Sequence, residues 1–149
     1  MIEQRDPAFW DRITAHPEVM DGALMGVPLS LSEVVTHPSV TPLASENGGY
    51  LFCQLDGAGR VFELHSIFAP DGWGREALTT GKAALVEMFS RGMQVLTTYQ
   101  VEGKWRTQPP KSFGFAPQGD FAPALGVSVK TWLLTRTAWE ASPAFRRMT

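Results

Sequence analysis

Between Arg60 and Val101 the sequence changes its apolar period twice, and no other feature limits the fold so strongly. Arg60 to Phe68 alternates: Val61, Glu63, His65 and Ile67 fall on one face, and Phe62, Leu64, Ser66 and Phe68 on the other. That is the two-residue repeat of a strand. After Pro70 the residues Ala77, Leu78, Gly81, Ala84, Leu85, Met88 and Phe89 recur at three- and four-residue spacing until Gly92, which predicts a helix from about Gly74 to Ser90. Gln94 to Val101 then reads as a strand again. A strand joined to the next through a crossover helix runs parallel to it, because antiparallel neighbours are reached by a hairpin.

Around this βαβ unit the texture differs. Asp6-Pro7 is a helix start, with Phe9, Trp10 and Ile13 on one face, and Ser30-Leu31-Ser32-Glu33 has capping-box spacing for a second short helical segment. His16 and His37 each precede a proline and so mark ends of such segments. Val40 to Ser45 and Tyr50 to Leu55 are strand-like, separated from each other and from Arg60 by Asn47-Gly48-Gly49 and Asp56-Gly57-Ala58-Gly59, which suit hairpin turns. Residues 102–126 are rich in proline and glycine and hold only brief structure, and Val127 to Thr137 reads as a final strand. The expected class is α+β, with a mixed, mostly antiparallel sheet around one central parallel pair. At 149 residues the chain, 1–149, is expected to be a single domain.

Composition excludes several partners. Charged residues make up 19% and the net charge is −2, so nothing draws the chain to nucleic acid, which is not an expected partner. The single cysteine, Cys53, allows no intramolecular disulfide and reads as a core strand residue. No His, Cys, Asp or Glu cluster has metal-ligand spacing, and none of the apolar runs approaches a membrane span. With no leader pattern at Met1 to Pro7, a cytoplasmic protein without membrane association is expected. Trp10, Trp73, Trp105, Trp132 and Trp139 exceed what a core of this size ordinarily uses, leaving open a ligand groove or a subunit interface such as that of a homodimer.

The chemistry concentrates at Phe68-Ala69-Pro70-Asp71-Gly72-Trp73-Gly74-Arg75-Glu76-Ala77, where a strand end turns straight into the long helix. Such a junction collects unpaired amides and the positive end of the helix dipole, which suits a phosphate or pyrophosphate. It is neither a Walker loop nor a dinucleotide fingerprint, and the bland alternative is that its glycines only make a tight turn.

The order of elements, together with Phe68, Pro70, Gly74 and the later Gly114-Phe115 pair, resembles the GNAT family of acyl-CoA-dependent N-acyltransferases. The resemblance covers roughly 60–117, and the Glu-x-His strand and Trp-rich tail are similar to small prophage-encoded members. It implies acetyl-CoA as co-substrate, with the pyrophosphate against amides from Gly72, Trp73, Gly74, Arg75, Glu76 and Ala77. The pantetheine arm would lie along Ile67, Phe68 and Ala69. The pattern departs from the family's at Trp73, where Arg or Gln is usual, at Glu76, where glycine is usual, and at Leu78. Glu76 is compatible with a bound pyrophosphate only if its carboxylate points outward or caps the turn. Pro110 occupies the place of the family's usual proton-donating tyrosine.

Tyr99, on the strand that flanks the thioester in this reading, is the candidate acid; as a strand aromatic it has an equally ordinary packing role. Glu63 is the candidate base, with His65 as alternate or helper, against the plainer reading of a rim carboxylate and a core histidine. Two functions follow. One is transfer of an acetyl group from acetyl-CoA to an unidentified primary amine, of a small molecule or a protein, by direct attack. The other is a non-catalytic module on the same scaffold that binds CoA or another protein.

Overall fold

The computed structural model describes residues 1–22, 31–124 and 126–149. They form an eight-stranded sheet in the order β1-β2-β3-β4-β5-β8-β6, with β7 also paired to β8. The strands are β1 (Ile2–Glu3), β2 (Val40–Ser45), β3 (Gly48–Gln54), β4 (Val61–Phe68), β5 (Val95–Val101), β6 (Ala116–Pro117), β7 (Ala122–Ala124) and β8 (Val127–Thr135). Only β4 and β5 run parallel; the other described pairs are antiparallel. The α+β class, and the parallel pair joined through a helix, are as the change of period requires.

Helices cover both faces. On one lie α1 (Pro7–Thr14), α2 (Pro17–Gly22) and α3 (Ser32–Thr36), which bury Trp10, Ile13, Val19 and Val35 against Ala44, Leu51 and Ile67. Asp6 caps α1 through Ala8 N at 3.0 Å, with Pro7 at the first helical position. The expected cap at Ser30 lies outside the described residues; within them α3 opens from Leu31 with no side-chain cap bond. His37 closes α3, and its Nδ1 lies 2.7 Å from Ser39 Oγ, so it serves a turn.

The opposite face carries α4 (Arg75–Ser90), whose Ala84, Leu85, Met88 and Phe89 pack on Phe52, Phe62, Leu64 and Leu96. Gly92 at φ 110 ends α4 in a Schellman turn, Gly92 N donating to Phe89 O and Met93 N to Met88 O. The alternation of β4 is reproduced: Phe62 and Leu64 join the α4 core, while Ile67 joins the other.

Two boundaries differ from expectation for local reasons. Gly48 and Gly49 do not form the first hairpin's turn; they pair in β3, and a Cβ on either would sit 2.3 Å from a carbonyl oxygen, Ile67 O or Leu43 O respectively. They are needed for close strand approach. The final strand stops at Thr135, not Thr137, because Thr135 Oγ1 accepts Ala138 N at 3.1 Å and starts α5 (Arg136–Glu140). Ser142 then caps α6 (Pro143–Met148) through Phe145 N. The strand pattern anticipates neither helix, although Thr135 and Ser142-Pro143 carry their cap signals.

Among the tryptophans, Trp10 and Trp139 are fully buried and Trp132 nearly so, whereas Trp73 lines the cavity described next.

Candidate active site

Strands β4 and β5 pair only at Val61–Val95, Phe62–Leu96 and Glu63–Thr97. Beyond Glu63 they part, although β4 runs on to Phe68 and β5 to Val101. The apex of the gap is closed by a side chain: Thr98 Oγ1, buried, donates to Leu64 O at 3.1 Å. The hydroxyl thus replaces the backbone donor that a continuing ladder would have supplied. The gap opens into a cavity of about 1360 Å³ that is lined from both faces of the sheet.

The edge of β4 facing this gap is set by its register with β3. Leu64 O receives Thr98, and Phe68 O receives Trp73 Nε1 at 3.2 Å, so both point into the gap. Alternation turns the backbone of Ser66 the same way. Ile67 and Ala69 face β3 instead: Ile67 pairs with Gly49, and Ala69 N donates to Asn47 O at 2.8 Å. Ile67 is also buried in the α1–α3 core. Ile67 and Ala69, expected beside a pantetheine arm, therefore turn away from the gap, and Ser66 and Phe68 line it. The sequence reveals the two faces of a strand, whereas which edge is free depends on the partner's register.

The three candidate catalytic side chains converge beside the apex of the gap, on the face covered by α1–α3. His65 Nε2 lies 3.4 Å from Glu63 Oε2, with the Glu63 side chain 22% exposed and that of His65 44%. Tyr99 stands on the same face of β5, since Glu63 registers with Thr97 two residues earlier. Burial, the Glu63 charge and a hydrogen bond to Glu63 raise the Tyr99 phenol above its usual range. The same carboxylate, after burial, raises the Cys53 thiol across the β3–β4 pair. Cys53 is partly buried against the α1–α3 core and has no place in the cavity lining.

The strand-to-helix turn is less open than expected. Pro70–Gly72 form a 3-10 turn in which Gly72 N donates to Ala69 O and Trp73 N to Pro70 O. The amides of Gly72 and Trp73 are therefore engaged, and Gly72 packs where a Cβ would meet Phe68 and Asn47 at 2.9 and 3.0 Å. Gly74, at φ 83, is the residue before α4, and the first amide of this end to donate within the helix is Leu78 N, to Gly74 O. The amides of Arg75, Glu76 and Ala77 form the open first turn, with no side-chain cap.

The Glu76 carboxylate is not part of that opening. It accepts Ser45 Oγ at 2.6 Å, Asn47 N at 2.8 Å and Asn47 Nδ2 at 2.8 Å, tying the β2–β3 hairpin to the start of α4. Burial raises its pKa, but these hydrogen bonds outweigh burial and leave it below the ordinary value. The carboxylate is thereby held against the β2–β3 hairpin and donors there share its charge. Phe68, Trp73, Gly74 and Ala77 line the cavity, whereas Arg75 is exposed beside it.

Residues not anticipated complete the lining. Arg106, from the 3-10 turn Trp105–Thr107, places its guanidinium 3.8 Å above the Trp73 ring and bridges the cavity rim. Lys104 and Lys111 lie along the same segment, while Glu18 of α2 joins Glu63 at the other end. Tyr50, its phenol raised by burial, donates to Ala77 O at 2.6 Å. Nothing in sequence spacing brings Arg106 to Trp73. Among the described residues there is no group of three or more His, Cys, Asp or Glu that could hold a metal, and no helix long and apolar enough to cross a membrane.

No protein-family model matches the sequence, and no curated protein matches it. Solved structures do. A probable GNAT-family acetyltransferase from Chromobacterium violaceum superposes with a TM-score of 0.72 at 15% identity, over 94% of this chain and 87% of that one. Spermidine N-acetyltransferase from Vibrio cholerae, in complex with CoA and spermine, gives 0.69 at 16% identity over 93% and 94%. FeeM, an N-acyl amino acid synthase from uncultured soil microbes, gives 0.67 at 13% identity over 100% and 95%. The chain has the fold of the GNAT acyltransferases.

Proposed function

We propose that the protein is a GNAT-family N-acyltransferase that moves an acyl group from coenzyme A to a primary amine by direct attack. The observation that carries this reading is the gap between β4 and β5. It passes through the sheet, offers the open first turn of α4 near one end and meets Glu63, His65 and Tyr99 at the other.

A phosphopantetheine arm needs an anion site, amide partners and an apolar channel, and the residues fit each. The amides of Arg75, Glu76 and Ala77 lie at the positive end of a 16-residue helix. Arg106, Lys104 and Lys111 line that region with positive charge. The edge of β4 at Ser66 and Phe68 supplies N–H donors to the arm and to oxygen charge developing on the acyl carbonyl. Bound there, acetyl-CoA supplies an activated thioester.

Glu63 accepts the proton of the attacking amine, directly or through His65, which its carboxylate orients. Tyr99, held protonated by its surroundings, gives a proton to the departing sulfur. Glu18 and Glu63 favour an amine that arrives as a cation, and the Vibrio cholerae structure with the same fold contains spermine, an amine. A non-catalytic CoA-binding module is the second reading, favoured by the engagement of the Gly72 and Trp73 amides within their own turn.

Calorimetry with acetyl-CoA, followed by turnover on a panel of amines, tests both. Binding with turnover supports the transferase, binding without turnover on any amine supports the module, and no binding at millimolar acetyl-CoA removes the site.

A further inference from the structure

Resting on the transferase reading, we propose that the acyl group carried by this protein is a hydrocarbon chain longer than acetyl, seated in a chamber between α4 and the sheet. The cavity does not stop at the gap. On the α4 face it is bounded by Phe52 of β3, Leu64 of β4, Leu85 of α4, and Phe113 and Phe115 of the segment before β6. Leu85 lies ten residues after Arg75, about 15 Å down the helix axis from the open first turn. Over the same drop β4 runs from Phe68 back to Leu64, about 13 Å. The chamber therefore reaches the level of the apex, where the reacting carbonyl would sit beside Glu63.

Its walls decide what it can hold. These five side chains are apolar and each no more than 9% exposed. Two polar groups of the same lining are already engaged: Tyr50 OH donates to Ala77 O and Thr98 Oγ1 to Leu64 O. No buried side-chain nitrogen or oxygen among the described residues lacks a partner, so none waits for a polar ligand. An amide-bearing arm gains nothing in such a place, because burying its polar groups without partners is unfavourable. A hydrocarbon chain gains about 0.8 kcal/mol for each buried methylene. The short 3-10 turn Lys111–Phe113, preceded by Pro109-Pro110, leaves this space beside α4 open where a longer helix would fill it.

The experiment compares CoA, acetyl-CoA and octanoyl-CoA by calorimetry on the intact protein. Octanoyl-CoA should bind at least tenfold more tightly than acetyl-CoA, which in turn should bind about as CoA does. Leu85→Phe should bring octanoyl-CoA back to the acetyl-CoA value and leave acetyl-CoA unchanged. Phe115→Leu, which enlarges the chamber, should keep the tenfold preference and serves as the second variant if Leu85→Phe is poorly folded. Equal or weaker binding of octanoyl-CoA by a protein that binds acetyl-CoA overturns the chamber and leaves the transferase reading standing. Failure to bind any of the three overturns both.

Discussion

The two ends of the cavity are built from different materials. At the proposed amine end the candidate groups are side chains: Glu63 and His65 are two residues apart on one strand, and Tyr99 joins them because β5 keeps register with β4 until Glu63. At the proposed phosphate end the candidate groups are backbone amides, and the backbone is partly committed to its own turn, with Gly72 N and Trp73 N engaged and Glu76 holding the hairpin. Side-chain chemistry thus survives a change of loop sequence, while backbone chemistry has to be rebuilt whenever a glycine is lost. Here the first turn of α4 is open, and Arg106 reaches the same end of the cavity through Trp73.

The sharpest way to break the comparison is at the amine end. Glu63→Gln keeps the size and the neighbours but removes the proton acceptor, so turnover should fall about a hundredfold while acyl-CoA affinity changes less than twofold. Unaltered turnover in both Glu63→Gln and His65→Ala would take this face of β4 out of the mechanism.

At the phosphate end the largest effect is expected from Gly74→Asp. A Cβ at Gly74 meets open space, but φ 83 strains any other residue, and the new carboxylate faces the amides of the first turn. Acyl-CoA binding should weaken at least tenfold. Gly74→Asn carries the same strain without the charge, so the difference between the two variants isolates repulsion; identical losses would mean that no phosphate sits there.

Glu76 tests whether the turn is primarily structural. Glu76→Ala strands Ser45 Oγ and Asn47 N, which should lower stability by about 1 kcal/mol in urea unfolding. Folding lowers this carboxyl below its ordinary value of 4.5, so its contribution is present above that pH and is lost as pH falls through the folded value. The wild type should therefore lose stability on acidification in that window more steeply than Glu76→Ala. Parallel pH curves would show that the hairpin does not depend on the charge.

How much of this was legible in the sequence follows from the range of the forces involved. The change of period between Arg60 and Val101 fixed the parallel unit, and alternation put Glu63 and His65 on one face, because both are local regularities. The free edge of β4 was not legible: Ile67 and Ser66 look equally able to flank a ligand until the pairing with β3 turns one away. Gly48 and Gly49 resembled a turn because positive φ and close approach select the same residue. The α5 and α6 helices were hidden by the strand pattern that runs into Thr135, although both caps were present.

The smallest expected effect comes from the contact that no local rule supplies. Arg106 stacks on Trp73, whose indole donates to Phe68 O on the gap edge, so the guanidinium holds the ring that closes this end of the cavity. An exposed cation–π contact contributes about 0.5 to 1 kcal/mol. Arg106→Ala should therefore weaken acyl-CoA binding about threefold, from the loss of a cation near the phosphates together with a looser Trp73. Arg106→Lys retains the charge but not the planar stack, and should recover the salt dependence of binding without recovering all of the affinity. A double-mutant cycle between Arg106→Ala and Trp73→Leu separates the two parts: the coupling energy should equal that of the stack, about 0.5 to 1 kcal/mol. Strictly additive losses would mean that Arg106 acts on the ligand by charge alone and that Trp73 closes the cavity without it.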